Sequence, residues 1–211
     1  MTNTEDTHNN LGDNFHKVNG HILADRITAT VTHAFRNDPT WSPLLGADTS
    51  ESGPAYQYWS LFVHSALRYP WSYSNHDGTV TSIWYPPNAD ELTPEETARF
   101  PEFATELLGA HKATELFRTI ERFDDARPAG AYFYLSLLAV HPTQRGSGLG
   151  LRLLAENLQV LDALGVPTYL ESSNPQNDEK YRRLGYQQHG TIALRHDFTI
   201  TTFWRDPAVG S

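Results

Sequence analysis

Residues 132–150 read YFYLSLLAVHPTQRGSGLG, and the next 22, LRLLAENLQVLDALGVPTYLES, run to Ser172. The first nine are an almost unbroken apolar run rich in strand formers, the pattern of a central strand covered on both faces. Over 149–164, Leu151, Leu154, Leu158 and Leu161 fall on one helical stripe, and Gly165 with Pro167 stops the helix. Residues 168–172 make a second strand. The unit is a strand–helix–strand crossover whose first turn, 144–150, is rich in glycine.

That turn suits an anion. Gly146, Gly148 and Gly150 remove the Cβ atoms that would hold a ligand off the backbone, and the following helix adds its positive end. Arg145 supplies a planar fork of donors for phosphate oxygens. A Walker loop is excluded, because no Gly-Lys-Ser/Thr is present. The dinucleotide fingerprint requires G-x-G-x-x-G, whereas here the glycines give G-x-G-x-G and Leu151 occupies the third slot. Glu171 does fall about where a ribose-binding acid would, so a nucleotide-binding reading stays open.

Residues 1–14 are polar and without hydrophobic period, which predicts a flexible tail before a single domain over 15–211. Helical spacing covers 22–35 and 54–67, strands 71–74 and 80–85 flank an Asp-Gly turn, and helices follow over 94–108 and 111–123. A short helix over 175–184 and closing strands over 186–194 and 198–204 complete the chain.

Composition narrows the function. The chain has 211 residues, no cysteine and a formal charge of −9. Disulfides, thiolate metal sites and cysteine nucleophiles are therefore excluded, and a phosphate-neutralising nucleic-acid surface is disfavoured. The spacing of His64, His76, His111 and His196 supports no metal site. No apolar run is long enough for a membrane span and the N-terminus lacks a secretory signal, so the expected location is the cytoplasm. Asp90, Glu91, Glu95, Glu96, Glu102 and Glu106 read first as a solvated helix face, with attraction of a cationic amine as the alternative.

Arg145-Gly146-Ser147-Gly148-Leu149-Gly150 resembles the R/Q-x-x-G-x-G/A signature of the GNAT superfamily of acyl-CoA N-acyltransferases. Residues 132–204, with YLSLLAVHP, GVPTYLESS and NPQNDEKYRRLGY in order, are similar to its puromycin N-acetyltransferase-like members. The resemblance implies a mixed α/β fold with a mostly antiparallel central sheet, helices on both faces and a splay between strands 132–140 and 168–173. It implies acetyl-CoA or another acyl-CoA as co-substrate, with no metal. Coenzyme A would be held by Arg145, Gly146, Ser147, Gly148, Leu149 and Gly150. The backbone of Leu138, Ala139 and Val140 would meet the pantetheine arm, with Asn174 and Asn177 as side-chain contacts, although Asn174 also reads as a helix cap.

Tyr181 matches the tyrosine that protonates the departing thiolate in such enzymes, with a packed aromatic beside Leu184 as its plain alternative. Glu171, at the end of an otherwise uncharged strand, is the candidate base for the amine, or a structural acid paired with Arg145 or Arg182. His141 is the other candidate base. Ten of the chain's 25 aromatic residues lie between Trp41 and Tyr85, among them Tyr56, Trp59, Trp71 and Trp84. In the resembling fold this region builds the acceptor pocket, so a hydrophobic or aromatic small-molecule amine is the expected partner. A non-catalytic acyl-CoA sensor is the alternative from another class, and the oligomeric state, a homodimer included, is open.

Overall fold

The computed structural model describes residues 10–11, 14–18, 20–195 and 198–208. Its centre is the crossover of β5 (Phe133–Val140), α6 (Leu149–Ala163) and β6 (Thr168–Ser172). The buried stripe of α6 is Gly150, Leu153, Leu154, Asn157, Leu158 and Leu161, rotated from the expected one so that Leu153 and Asn157 turn inward. Asn157 is no packing error. Its Oδ1 accepts from the Ser82 hydroxyl at 2.6 Å and from the Trp84 indole at 2.9 Å, which pins the helix to the sheet. Asn157→Leu would leave both buried donors without an acceptor while removing an Nδ2 that has no hydrogen-bond partner among the described residues. The expected net loss is roughly 1–3 kcal/mol in urea unfolding, and an unchanged midpoint would show that Asn157 does not anchor α6.

Eight strands form one sheet: β1 (Asn10–Leu11), β2 (Phe15–Lys17), β3 (Ser72–Ser74), β4 (Val80–Tyr85), β5, β6, β8 (Thr199–Arg205) and β7 (Gln187–Ala193), in that order. Every pairing is antiparallel except β5 with β6. β1 and β2 were not expected, since strands of two and three residues carry no readable alternation. Of the expected tail, residues 10–11 pair with β2, and residues 1–9, 12 and 13 lie outside the described residues.

One face carries α1 (His21–Phe35), α2 (Ser42–Leu45), α3 (Pro54–Ala66), α4 (Pro94–Leu108) and α5 (Ala110–Ala126). They bury Ile27, Val31, Trp59, Val63 and Leu116 against Leu137 and Ala139. The other face carries α6 and α7 (Asp178–Arg183), over Phe15, Trp84, Phe133, Leu135, Leu170 and Phe203. Asn177 interrupts the helix expected over 175–184, leaving a 3₁₀ turn, Pro175–Asn177, ahead of α7. Among the described residues no helix is long and apolar enough to cross a membrane.

The sheet is continuous on paper and parted in the middle. β5 and β6 pair only at Phe133↔Thr168 and Tyr134↔Tyr169. Beyond that point β5 pairs with β4 alone and β6 with β8 alone. The parting coincides with a bulge: Ile83 pairs with Leu137 and Trp84 with Leu135, so Ser136 is an extra residue. Such a residue sharpens the local twist and turns the strand away from its neighbour. β5 is covered on both faces, Phe133 and Leu135 beneath α6 and Leu137 and Ala139 on the α1–α5 side, and Tyr134, Ser136, Leu138 and Val140 are half-buried between these fully buried neighbours.

Candidate functional site

The loop after β5 begins with a 3₁₀ turn, Pro142–Gln144, and then reverses through left-handed backbone at Gly146 (φ 82°) and Gly148 (φ 76°). A side chain would be strained at both. Gly148 is the N-cap of α6 and supplies no side-chain bond, and among the described residues the amides of Gly146, Gly148 and Gly150 have no backbone acceptor. These donors at the start of a 15-residue helix form a cradle for an anion. Gly150 has a further reason to be glycine. A Cβ there would come within 2.7 Å of Val140 Cγ2, so it is what lets α6 lie close on β5.

The other loop residues are tied locally. Ser147 Oγ donates to the Gln144 carbonyl at 2.6 Å and accepts from the Leu149 amide at 3.4 Å. Arg145 is exposed and its guanidinium reaches the Ala34 carbonyl at the end of α1, 3.3 Å away. His141 meets His33 edge-on at 5.1 Å, and burial, then His33 and Arg145, hold its imidazole below the usual value.

The phase of the β4–β5 ladder decides which backbone groups face the parting. His141 N donates to Thr79 O at 2.8 Å. Because antiparallel pairs alternate between bonded and non-bonded, Ala139 is turned toward Thr81, while Leu138 and Val140 direct their N–H and C=O groups into the gap. Of the three residues expected to offer backbone groups, the outer two are placed to do so.

Glu171 lies on the face of β6 toward α5, with Leu170 on the opposite face in the cluster beneath α6. Its Oε1 is buried with no hydrogen-bond partner among the described residues. Burial pushes the Glu171 carboxyl up to about 7, against the opposing influence of the Arg127 charge and the Tyr134 and Tyr169 phenols. Neither expected arginine is the partner: Arg145 is engaged with α1, and Arg182 lies 5.3 Å from the centre of the Phe203 ring. The cation present is Arg127, at the end of α5. It is ion-paired with Glu91, lies 3.5 Å from Asp124, and stands 4.5 Å from the centre of the Tyr134 ring. Glu91 also accepts from the Ser136 hydroxyl at 3.0 Å, so the bulge residue helps fix it.

Tyr181 lies on the other face, packed against the cluster beneath α6. Its ring packs on Phe203 and Tyr186 with centroids 5.8 and 6.1 Å away, and its hydroxyl has no hydrogen-bond partner among the described residues. Burial, then the charges of Asp178 and Asp38, raise its pKa, so the phenol keeps its proton. Both expected asparagines have partners within the chain. Asn174 Oδ1 caps the 3₁₀ turn through the Gln176 amide at 3.1 Å, and Asn177 Oδ1 accepts from Lys180 at 2.8 Å.

The segment after α1 closes the far end of the parting. Asp38 accepts from the Ser173 hydroxyl at 2.7 Å, and Thr40 Oγ1 donates to the Ser173 carbonyl at 3.0 Å. Asp38, Arg127 and Tyr134 were not singled out in the sequence, and Glu91 only as one member of an acidic run. Glu91 sits in an acidic run in which Asp90, Glu95, Glu102 and Glu106 are exposed, whereas Glu91 and Glu96 are half-buried and paired with Arg127 and Arg68.

Part of the aromatic stretch expected to build the acceptor pocket packs on itself. Trp41, Tyr58 and Trp59 pack ring against ring at 4.9–6.0 Å and fill one another's space. Trp84 and Trp71 serve the opposite face, against Asn157 and Phe133. Tyr56 is half-buried on α3.

A family model described as an acetyltransferase (GNAT) domain matches residues 89–203. Among solved structures, arylalkylamine N-acetyltransferase 2 from Aedes aegypti superposes with a TM-score of 0.66 at 11% identity, covering 91% of this chain and 97% of that one. A protein from Corynebacterium glutamicum described as histone acetyltransferase HPA2 and related acetyltransferase gives 0.62 at 19% identity, over 94% and 98%. The Drosophila melanogaster polyamine N-acetyltransferase gives 0.54 at 17%, over 91% and 98%.

Proposed function

Because the chain belongs to the GNAT acetyltransferase family, we propose that it moves an acetyl or other small acyl group from acyl-CoA to a primary amine of a small molecule by direct attack. The observation that carries this reading is the gap between β5 and β6, with Tyr181 on one face and the carboxyl of Glu171 on the other.

In this reading the coenzyme A pyrophosphate takes the amides of Gly146, Gly148 and Gly150 at the head of α6, and Arg145 exchanges its Ala34 carbonyl for phosphate oxygens. The pantetheine arm runs along Leu138 and Val140, with Asn174 and Asn177 beside it. An ammonium arriving from the α5 side gives a proton to Glu171. The neutral nitrogen attacks the thioester carbon, and a β5 amide stabilises the oxyanion. The carbon–sulfur bond then breaks, Tyr181 delivers a proton to the coenzyme A thiolate, and the nitrogen releases its second proton to solvent, from which the phenol is reprotonated.

The amine class follows from the wall beside Glu171. Glu91 and Glu171 surround a single guanidinium, while the aromatic rings are packed on themselves, which favours a compact cationic amine. The solved neighbours include enzymes named for arylalkylamines and for polyamines, and the Drosophila protein is described as forming N-acetylagmatine.

Free-thiol release measured with acetyl-CoA over a panel of aliphatic, aromatic and guanidino amines tests the reading. The expected result is turnover with at least one cationic amine. Acetyl-CoA at 100 times its dissociation constant is expected to stabilise the fold by about 2.7 kcal/mol, and NAD to have no effect. Stabilisation by acetyl-CoA without turnover across the panel would replace the enzyme with an acyl-CoA sensor.

A further inference from the structure

Two carboxylates and one guanidinium share the space beside the parting, and the cation is committed to the carboxylate that the chemistry does not use. We propose that Arg127 and Glu91 act as a positioning pair that sets the charge state of Glu171, and through it the pH range in which the incoming amine loses its proton. The second half of this inference rests on Glu171 being the acceptor of that proton.

The geometry fixes where the Arg127 charge stands. Glu91 pairs with the guanidinium, the Tyr134 ring lies against it, and the Ser136 hydroxyl holds the second oxygen of Glu91. Arg127 Nε is buried without a hydrogen bond among the described residues. Arg127 therefore acts on Glu171 through its field, with no bond between them among the described residues, and Glu91 opposes it as a like charge.

The remaining groups that face Glu171 come from every neighbouring element. β5 contributes the Tyr134 phenol, β6 the Tyr169 phenol, and the residue before β5 the Tyr132 phenol. Across the ladder, β8 contributes Thr202, whose Oγ1 is also buried without a partner among the described residues. Asp124, at the end of α5, is a second acid near Arg127. None of the phenols carries charge at neutral pH, since burial raises all three. The balance at Glu171 is therefore set by Arg127 against Glu91, with Asp124 farther out.

Removing the two partners should move Glu171 in opposite directions. Glu91→Gln removes a negative charge and frees Arg127 to turn toward Glu171, so ionisation becomes easier. Arg127→Met leaves two carboxylates without their cation, so ionisation becomes harder. Each displacement is expected to be about one pH unit or more, the size of a close charge effect.

The test uses the whole chain labelled with ¹³C at glutamate carboxyls, with the Glu171 resonance assigned by its loss in Glu171→Gln. The midpoint of that resonance is expected to fall in Glu91→Gln and rise in Arg127→Met. Arg127→Lys, which keeps the charge, is expected to stay near the wild type and serves if the methionine variant does not fold. A simple packing role would lower thermal stability without opposite shifts. Midpoints that do not move, or that move together, overturn the pairing. Profiles of kcat/KM against pH, taken with an amine found in the thiol-release panel, then separate the two claims. If the midpoints move and the acid limb follows, both stand. If they move and the limb does not, Glu171 is not the proton acceptor, and the pair does not set the pH range of the reaction.

Discussion

Glu171→Gln is expected to lower kcat/KM at pH 8 by about 10²- to 10⁴-fold, to flatten the acid limb of the pH profile, and yet to make the protein more stable at that pH. The sign follows from the carboxyl's environment. Burial raises its pKa from 4.5 to about 7, so the native state holds this proton more tightly than the unfolded chain does. The stabilisation that goes with the bound proton is complete below about 4.5 and is lost as pH rises through about 7. At pH 8 the wild-type fold carries an ionised carboxylate with a buried oxygen that has no partner among the described residues, and a neutral amide of the same shape carries no such charge. At about 1.4 kcal/mol per pH unit the relief amounts to roughly 2–3 kcal/mol, several degrees in thermal midpoint for a chain of this size. Calorimetry of both proteins at pH 5 and pH 8 checks it. A variant that gains no stability between the two pH values would refute the account of Glu171 as a buried acid, whatever its activity.

Tyr181→Phe is expected to separate chemistry from binding. The hydroxyl has no partner among the described residues, and the ring contacts with Phe203 and Tyr186 survive the substitution, so the fold should be unmoved within about 0.5 kcal/mol. With the general acid gone, kcat should fall by about 10²- to 10³-fold while KM for acyl-CoA changes little. Because burial and the acids Asp178 and Asp38 raise the phenol's pKa, it stays protonated across the assay range and contributes no limb near neutrality. The acid limb assigned to Glu171 should therefore remain in the variant. Unchanged kcat on an accepted amine would remove Tyr181 from the mechanism.

The parts of this molecule that were legible in the sequence are those with local causes. The apolar run of β5, the glycines after it and the Gly165/Pro167 stop each act within a few residues, and the crossover they specify is present with its bounds nearly as read. So is α4, whose Thr93 and Glu96 form reciprocal capping bonds of 3.1 and 2.7 Å. The acid–base neighbourhood has no such cause. Glu91 and Arg127 are 36 residues apart and meet only because α4 and α5 return the chain to the same sheet face. In sequence Glu91 is one more member of an acidic run, and Arg127 is a loop cation. The bulge at Ser136 is equally silent, since a serine within an apolar strand carries no mark of where a ladder will slip. The position of the parting between β5 and β6 therefore has no signature in the hydrophobic pattern.

The parting is bounded at both ends. Two residue pairs, Phe133↔Thr168 and Tyr134↔Tyr169, form its hinge. At the mouth, the stretch from Ala34 to Thr40 runs between the Arg145 side chain, on the β5 side, and Ser173, on the β6 side. Asp38 fastens the latter end, and Arg195 holds the carbonyls of Pro39 and Thr40 at 3.0 and 2.9 Å. The opening is thus bridged by a seven-residue strap, whose β5-side tie through Arg145 is the one that coenzyme A would release in the proposed reading. Shortening or lengthening the strap would resize the passage while leaving Glu171 and Tyr181 in place, which lets the tolerated bulk of a guest be altered separately from the proton chemistry.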